Sequence, residues 1–340
     1  MRVPGRRSVF RVLALIVAST VGLGVAEMMF RWFILRTYDA EYPPWTENLV
    51  AVPGPQIFEF KPYASGVFPG SADPTRTFAY RTNAHGLRDR DRSPKQGGTT
   101  RVLVLGDSYT WGYAVTEDEA FPQTAERILK ERGGSAVEVI NGGIPDYNTR
   151  QARALLERLM PAYSPDTVFL AYVVNDAEPS TALPTPPQEI YRHTRSWFLT
   201  ELAEVSNRRL FGRPLLPSRK EKVSASYLDG FAQHSPKWRD SREAIQQMRN
   251  LCARAGVRFA ILILPDFTRA FDDSYTWRPI HEAVAGWGRE LDIPVFDLLL
   301  LFRGEDHHTL WVPWDGHPNA EAHRRIAEFL VARILEMPPA

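Results

Sequence analysis

The chain has 340 residues, with 41 Lys and Arg against 40 Asp and Glu, for a formal net charge of +1. That balance argues against nucleic acid as a partner, because nucleic-acid-binding domains carry a concentrated positive excess. A single cysteine, Cys252, excludes an internal disulfide framework and a CxxC metal site, while 44% apolar residues suffice for a full globular core.

Arg2, Arg6, Arg7 and Arg11 precede an uncharged run from Val12 to Ala26, and apolar residues resume after Glu27 and Arg31 as far as Leu35. Gly24-Val25-Ala26 fits a secretory cleavage site. The length of the stretch favours an uncleaved anchor instead, since residues 9–35 can span a bilayer. The basic flank places residues 1–8 in the cytoplasm and everything after Tyr38 on the far side of a bacterial inner membrane. Glu27 and Arg31 stand one helical turn apart and can pair. The competing reading is a buried amphipathic helix of a soluble protein. Residues 36–98 carry Pro43-Pro44, Pro53-Gly54-Pro55 and Pro69-Gly70, and read as a linker running into an extracytoplasmic extension. Within it Thr77 to Arg81 is a predicted strand and Asn83 to Gly86 a turn.

From Arg101 strands and helices alternate. Strands are predicted at Val102–Leu105, Val137–Ile140, Thr167–Val174, Val257–Leu264 and Val295–Leu298. Helices are predicted at about Glu117–Arg132, Thr149–Met160, Asp240–Ala255, Ile280–Leu291 and Ala320–Leu335. Alternating βα units imply a parallel sheet covered by helices on both faces. Ligands then gather at the carboxyl ends of the strands. The interval Ala177 to Trp238 breaks the rhythm with seven prolines and several aromatic residues, and only about Trp197 to Arg209 looks helical. So long an insertion in a compact domain is functional or disordered. It reads as a cap, with a plain exposed loop as the alternative.

Four short blocks fall at strand ends: Gly106-Asp107-Ser108, Asn141-Gly142-Gly143, Asn175-Asp176, and Asp315-Gly316-His317-Pro318-Asn319. A serine hydroxyl needs a base to take its proton, the base needs a third group to orient it, and the developing oxyanion needs donors aimed at it. The blocks supply a hydroxyl, two donors, and a His with a nearby carboxylate. Asp107 and Asp176 read as loop braces. Gly142 competes with Gly143, and His307, His308 and His323 compete with His317. Asp315, His317 and His323 could alternatively hold a metal, but no HExxH motif occurs. Position 110 is Thr, so the Gly-x-Ser-x-Gly elbow of α/β-hydrolases is missing, and no phosphate loop is formed.

These blocks resemble those of the SGNH/GDSL hydrolase family over about Arg101 to Leu335, outside the insertion. The preceding Arg81-Thr82-Asn83-Ala84-His85-Gly86-Leu87-Arg88 resembles the segment ahead of the catalytic domain in membrane-anchored members. The resemblance implies a three-layer, flavodoxin-like α/β fold over residues 99–338 with a central five-stranded parallel sheet; the alternating units and the need to bring the first three strand ends together give the order 2-1-3-4-5, with the interval 177–238 inserted as the expected cap. It implies Ser108 as nucleophile, His317 as base and Asp315 as its orienting carboxylate. The oxyanion donors would be the Ser108 and Gly143 backbone N–H groups and the Asn175 amide. Two departures stand out: Val173 occupies the usual Gly position of the third block, and one residue rather than two separates Asp315 from His317, as in the alginate O-acetylation branch. Pro318 biases His317 toward extended backbone, so Asp315-Gly316-His317 is expected to run extended, with Asn319 capping the last helix. The implied function is a membrane-anchored serine esterase or acyl-transfer enzyme, without a cofactor, acting on acetyl or other short acyl groups of a cell-surface carbohydrate or glycolipid. The alternatives are a catalytically silent carbohydrate-binding or assembly protein, and a lipid-ester hydrolase.

Overall fold

The computed structural model describes residues 6–41, 47–70, 73–133, 136–179, 196–199, 202, 227–312 and 316–337. The chain forms two units, residues 1–42 with 184–226 and residues 43–183 with 227–340. In the first unit helix α1 spans Arg6–Glu41. Its segment Leu13–Phe33, 21 residues with mean hydropathy 1.9, is long and apolar enough to cross a membrane. Glu27, inside that segment, is not left bare: its carboxylate accepts from Arg31 Nε at 2.6 Å, Ser196 Oγ at 2.8 Å, and the Trp197 and Phe198 N–H groups at 2.9 Å. Four donors offset the cost of a carboxylate in an apolar run. Of the helix expected at Trp197–Arg209, residues 197–199 and 202 are helical, and the rest lies outside the described residues. Most of the expected cap at 177–238 does too.

The second unit contains the predicted sheet. Strands β5 (Thr100–Gly106), β6 (Val137–Gly143), β7 (Thr167–Tyr172), β8 (Arg258–Ile263) and β9 (Val295–Asp297) are parallel, in the order β6-β5-β7-β8-β9. Successive side chains of a strand face opposite ways, and here each face meets its own helices. Leu103, Leu105, Val168 and Leu170 pack toward α4 (Thr149–Tyr163) and α5 (Pro236–Arg254), together with Leu155, Ile245 and Met248. Val102, Val104, Phe169 and Leu262 pack toward α3 (Phe121–Glu131) and α7 (Ala320–Glu336), together with Leu129, Ile326 and Leu330. Helix α6 (Arg278–Glu290) leads into β9. These near-continuous apolar strands, buried on both faces, are what a parallel sheet requires.

The stretch read as linker and extension contributes to this unit's core. It folds into two antiparallel pairs, β1 (Leu49–Ala51) with β2 (Phe58–Phe60), and β3 (Ser65–Gly70) with β4 (Asp73–Arg81). Phe58, Phe60 and Tyr80 are buried in the same cluster as Leu103 and Leu155. The segment after β4, together with Glu126 of α3, closes the exposed edge of β6. Val139 N–H donates to Glu126 Oε2 at 2.9 Å, Asn141 N–H donates to Asp89 Oδ2 at 3.1 Å, and Arg92 donates to Val139 O at 2.8 Å. Arg92 also bridges Asp89 and Glu126, all three nearly inaccessible. Burial lifts the Asp89 carboxyl to about 6 despite Arg92. Glu126 resists the same burial because Arg92, Arg90 and Lys130 hold it at about 2. Ladder groups that would template another chain are consumed by side chains.

The predicted helix at Glu117–Arg132 is two elements, a 3-10 turn at Glu117–Glu119 and then α3, because Pro122 opens a new helix at Phe121. The N-terminus of α3 is pinned to α7: Phe121 N–H donates to His323 Nδ1 at 3.2 Å, with the rings stacked. Burial, with the positive charge of Arg88 adding to it, lowers the His323 pKa to about 3. The fold therefore holds a neutral imidazole. Unfolding releases it to its ordinary value near 6.5, so the unfolded chain binds the extra proton between those two values. The stability tied to His323 is complete above about pH 6.5 and falls on acidification, by at most about 1.4 kcal/mol per pH unit. In denaturant titrations between about pH 6.5 and 4, His323→Asn, whose Oδ1 can still accept from Phe121, should show a slope of stability against pH smaller by about one proton. Equal slopes would mean that His323 titrates normally in the fold.

Candidate active site

β5 ends at Gly106, and a one-turn helix, α2 (Ser108–Trp111), begins two residues later. A Cβ on Gly106 would run into the Thr110 side chain, and one on Gly143 into Trp111 N and the Thr110 backbone. These glycines let the turn sit directly against the ends of β5 and β6. Asp107 caps the turn: its Oδ1 accepts from Tyr109 N–H at 2.9 Å. Its Oδ2 lies 3.5 Å from Ser108 Oγ, and the Asn175 amide also bonds this carboxyl.

The decisive contact is between residues 209 positions apart: His317 Nε2 lies 2.8 Å from Ser108 Oγ. His317 is half-buried, and two tyrosines of the segment after Ser108 hold its ring. The Tyr113 ring lies 4.6 Å away at 33° and the Tyr109 ring 5.3 Å away, while Tyr109 OH donates to Gly316 O at 3.2 Å. Neither tyrosine was singled out from the sequence. The available signal was their i, i+4 spacing around one helical turn just after Ser108.

Gly316 does not adopt the expected extended backbone. Gly316 takes φ 95°, and the chain doubles back: Gly316 N–H donates to Val312 O at 3.3 Å, Val312 N–H donates to His317 O at 2.8 Å, and Trp311 bridges Pro318. Only glycine enters that region without strain, so the residue between Asp315 and His317 makes a tight turn rather than a straight spacer. Asp315 itself lies outside the described residues. Asn319 caps α7 as expected, accepting from Ala322 N–H at 3.1 Å.

The glycine block is corrected as well. Asn141 to Gly143 belong to β6, not to a loop, and Gly143 N–H donates to Asn141 Oδ1 at 3.0 Å. Its amide is engaged inside the strand end, and Gly143 serves close packing rather than an oxyanion. Gly142, the competing choice, is paired in the ladder opposite Leu105. The loop that follows turns at Pro145 and Asp146, closed by Tyr147 N–H to Ile144 O at 3.1 Å, with Asp146 at φ 63°. Among the described residues no partner is recorded for Ser108 N–H, as expected for the first residue of a helix.

Asn175 lies in a turn closed by Asp176 N–H to Val173 O at 3.1 Å. Val173 has no positive φ, so the replacement of glycine there costs no backbone strain; the side chain is buried in the core instead. Asp176 braces the turn, accepting from Val173 N–H at 2.6 Å and Thr149 Oγ1 at 3.4 Å. Burial raises both Asp107 and Asp176, and Asp176 goes well above the carboxylate range because Asp107 adds its negative charge. Of the competing histidines, His323 is the buried structural group described above. His307 and His308 lie on a 3-10 turn, where with Asp306 they bring ligand atoms within 4.8 Å of one another; this cluster includes neither Ser108 nor His317.

A family model described as the GDSL-like lipase/acylhydrolase family matches residues 104–325. The chain belongs to this family. It is 36% identical over 76 residues to an arylesterase of Vibrio mimicus, a match spanning 22% of this chain and 38% of that protein's length. Among solved structures it is similar to the lipase/acylhydrolase from Enterococcus faecalis, at 17% identity and TM-score 0.44, covering 71% of this chain and 99% of the other. It is also similar to the esterase EstA from Pseudoalteromonas sp., at 13% identity and TM-score 0.42, covering 70% and 98%. The family match runs from the middle of β5 into α7, and so contains Ser108, Asn175 and His317.

Proposed function

We propose that the chain is a serine esterase or acyl-transfer enzyme anchored to a membrane by α1, acting on acetyl or other short acyl esters of a cell-surface carbohydrate or glycolipid. The observation that carries the chemistry is the 2.8 Å approach of His317 Nε2 to Ser108 Oγ, within hydrogen-bond reach for proton removal.

Ser108 Oγ attacks the ester carbonyl as Nε2 takes its proton. The negative charge that forms on the carbonyl oxygen falls beside the Ser108 N–H, the start of α2. The Asn175 amide, one hydrogen of which goes to Asp107, supplies the second donor. His317 then returns the proton to the departing alkoxide, leaving an acyl-serine. Water completes hydrolysis; an acceptor hydroxyl completes transfer. Asp315 is the carboxylate assigned to orient His317. The short-acyl carbohydrate class is supported by the one-residue spacing of Asp315 and His317, as in the alginate O-acetylation branch, and by the apolar helix, which would hold the enzyme at an envelope surface. The insertion at 177–238 is assigned to substrate selection.

With p-nitrophenyl acetate, Ser108→Ala and His317→Ala should abolish turnover. Asn175→Ala should lower kcat about 10²–10³-fold with little change in KM, the usual cost of one oxyanion donor. Wild-type activity surviving in Ser108→Ala would remove the reading. Four arginines before the apolar span orient the catalytic unit outside the cytoplasm. Alkaline phosphatase fused to the C-terminus should therefore be active in intact bacteria, and an inactive fusion with stable expression would reverse the orientation.

A further inference from the structure

Arg88 closes the Arg81–Arg88 segment singled out in the sequence, and the chemistry above makes no use of it. It is fully buried, yet no carboxylate pairs with it among the described residues; Glu117, Asp118 and Glu119 act on it only through space. Burial lowers its pKa to about 10, so the guanidinium stays charged at neutral pH. A buried charge without a counterion is costly unless dipoles replace water around it.

The dipoles are backbone carbonyls, and three of the four lie on one short stretch. Nη1 donates to Trp111 O at 3.2 Å and Gly112 O at 2.6 Å, and Nη2 donates to Val115 O at 2.9 Å and more loosely to Ala79 O at 3.5 Å. The first two are the carbonyls left over at the C-terminal end of α2, where a helix favours a cation. The guanidinium also lies 4.4 Å from the Trp111 ring, whose remaining surroundings include Phe60 at 5.9 Å and 17° and Tyr80 at 5.4 Å. Gly112 takes φ 84°, and a Cβ there would sit 3.1 Å from Arg88 Nη1. Ser108 O, at the other end of the turn, accepts from Gly112 N–H at 3.1 Å and Tyr113 N–H at 3.0 Å. Displacing Gly112 therefore displaces the bonds that shape the Ser108 residue itself.

We infer that Arg88 is a positioning residue of this site: its guanidinium clamps the carbonyl end of the one-turn helix whose first residue is Ser108. The inference rests on Ser108 being the nucleophile. The segment ahead of the catalytic sheet thereby takes part in the reaction without touching substrate. Lysine cannot reproduce the clamp, because one ammonium lacks the planar fork that reaches three carbonyls while lying over an indole.

The test uses the full chain with Arg88→Lys and, as a milder variant, Trp111→Phe. Two readouts are taken: kcat and KM on p-nitrophenyl acetate, and amide hydrogen exchange along the chain. Arg88→Lys should lower kcat at least about tenfold with KM within about threefold, since small misplacements of reacting groups are expensive. Exchange should quicken in residues 108–115 while β7 and β8 keep their protection. Trp111→Phe should move both readouts the same way by less. Undiminished kcat in Arg88→Lys, or unchanged exchange at 108–115, would overturn the inference. Should Arg88→Lys lose protection everywhere, Trp111→Phe decides: a kcat loss with local exchange upholds the clamp, and normal kcat overturns it. If Ser108→Ala retained turnover, the esterase reading would fall, yet local exchange would still report whether Arg88 holds the turn.

Discussion

A single helical turn cannot hold its own shape in water, because nucleating it fixes several backbone dihedrals for one hydrogen bond. Ser108 sits at the start of such a turn, and the surrounding structure exists largely to hold it. Asp107 accepts from its Tyr109 N–H, and Gly106 and Gly143 let it press against the ends of β5 and β6. Trp111 is fully buried between Phe60 and Tyr80, drawn from strands that precede the sheet. The sheet order places the three strand ends that meet the turn side by side, with β5 between β6 and β7. A crevice beside the central strand of a doubly wound sheet is where such folds bind ligands.

The polar groups beneath the turn form a continuous seam. Asp176 meets Thr149, Thr149 Oγ1 lies 3.0 Å from Ser241 Oγ, and Ser241 Oγ lies 3.0 Å from Tyr172 OH. The seam ties the turn after β7 to α4 and α5. In a low-dielectric interior, satisfied polar networks of this kind rigidify their surroundings, and a missing partner is costly. Burial raises the Asp107 and Asp176 carboxyls, and the charge of Asp107 adds to the rise at Asp176. That cost is accepted where it fixes the loops bearing Ser108 and Asn175.

The sheet, its order and the family were legible in the sequence because buried parallel strands such as Val102–Leu105 are continuous apolar runs, and the site residues follow them at strand ends. Ser108 was singled out because it follows such a run and His317 because a carboxylate stands near it before the last helix; the structure brings the two within hydrogen-bond distance. What was not legible depends on contacts distant in sequence. The role of Gly143 changed because its amide finds Asn141 Oδ1 and its missing side chain admits Trp111. Within the extension only the strand at Thr77–Arg81 was legible, as part of β4; the other short strands, interrupted by prolines, carry no clear period, and their packing against the main core reveals them. The burial of Arg88 was not legible, since nothing local tells a solvated arginine from one enclosed by carbonyls. The backbone at Gly316 was misread because Pro318 argues for extension while glycine permits the reversal that the Trp311–Pro318 bridge requires.

The central claim is that His317 activates Ser108 as a nucleophile. Labelling with a fluorophosphonate, followed by mass spectrometry of the digested chain, tests it without assuming any substrate. The account predicts one phosphonyl adduct, on Ser108, formed rapidly in the wild type and at least about 10²-fold more slowly in His317→Gln, since the serine would lose its general base. An adduct on another residue, or a Ser108 adduct formed at the same rate without His317, would contradict it.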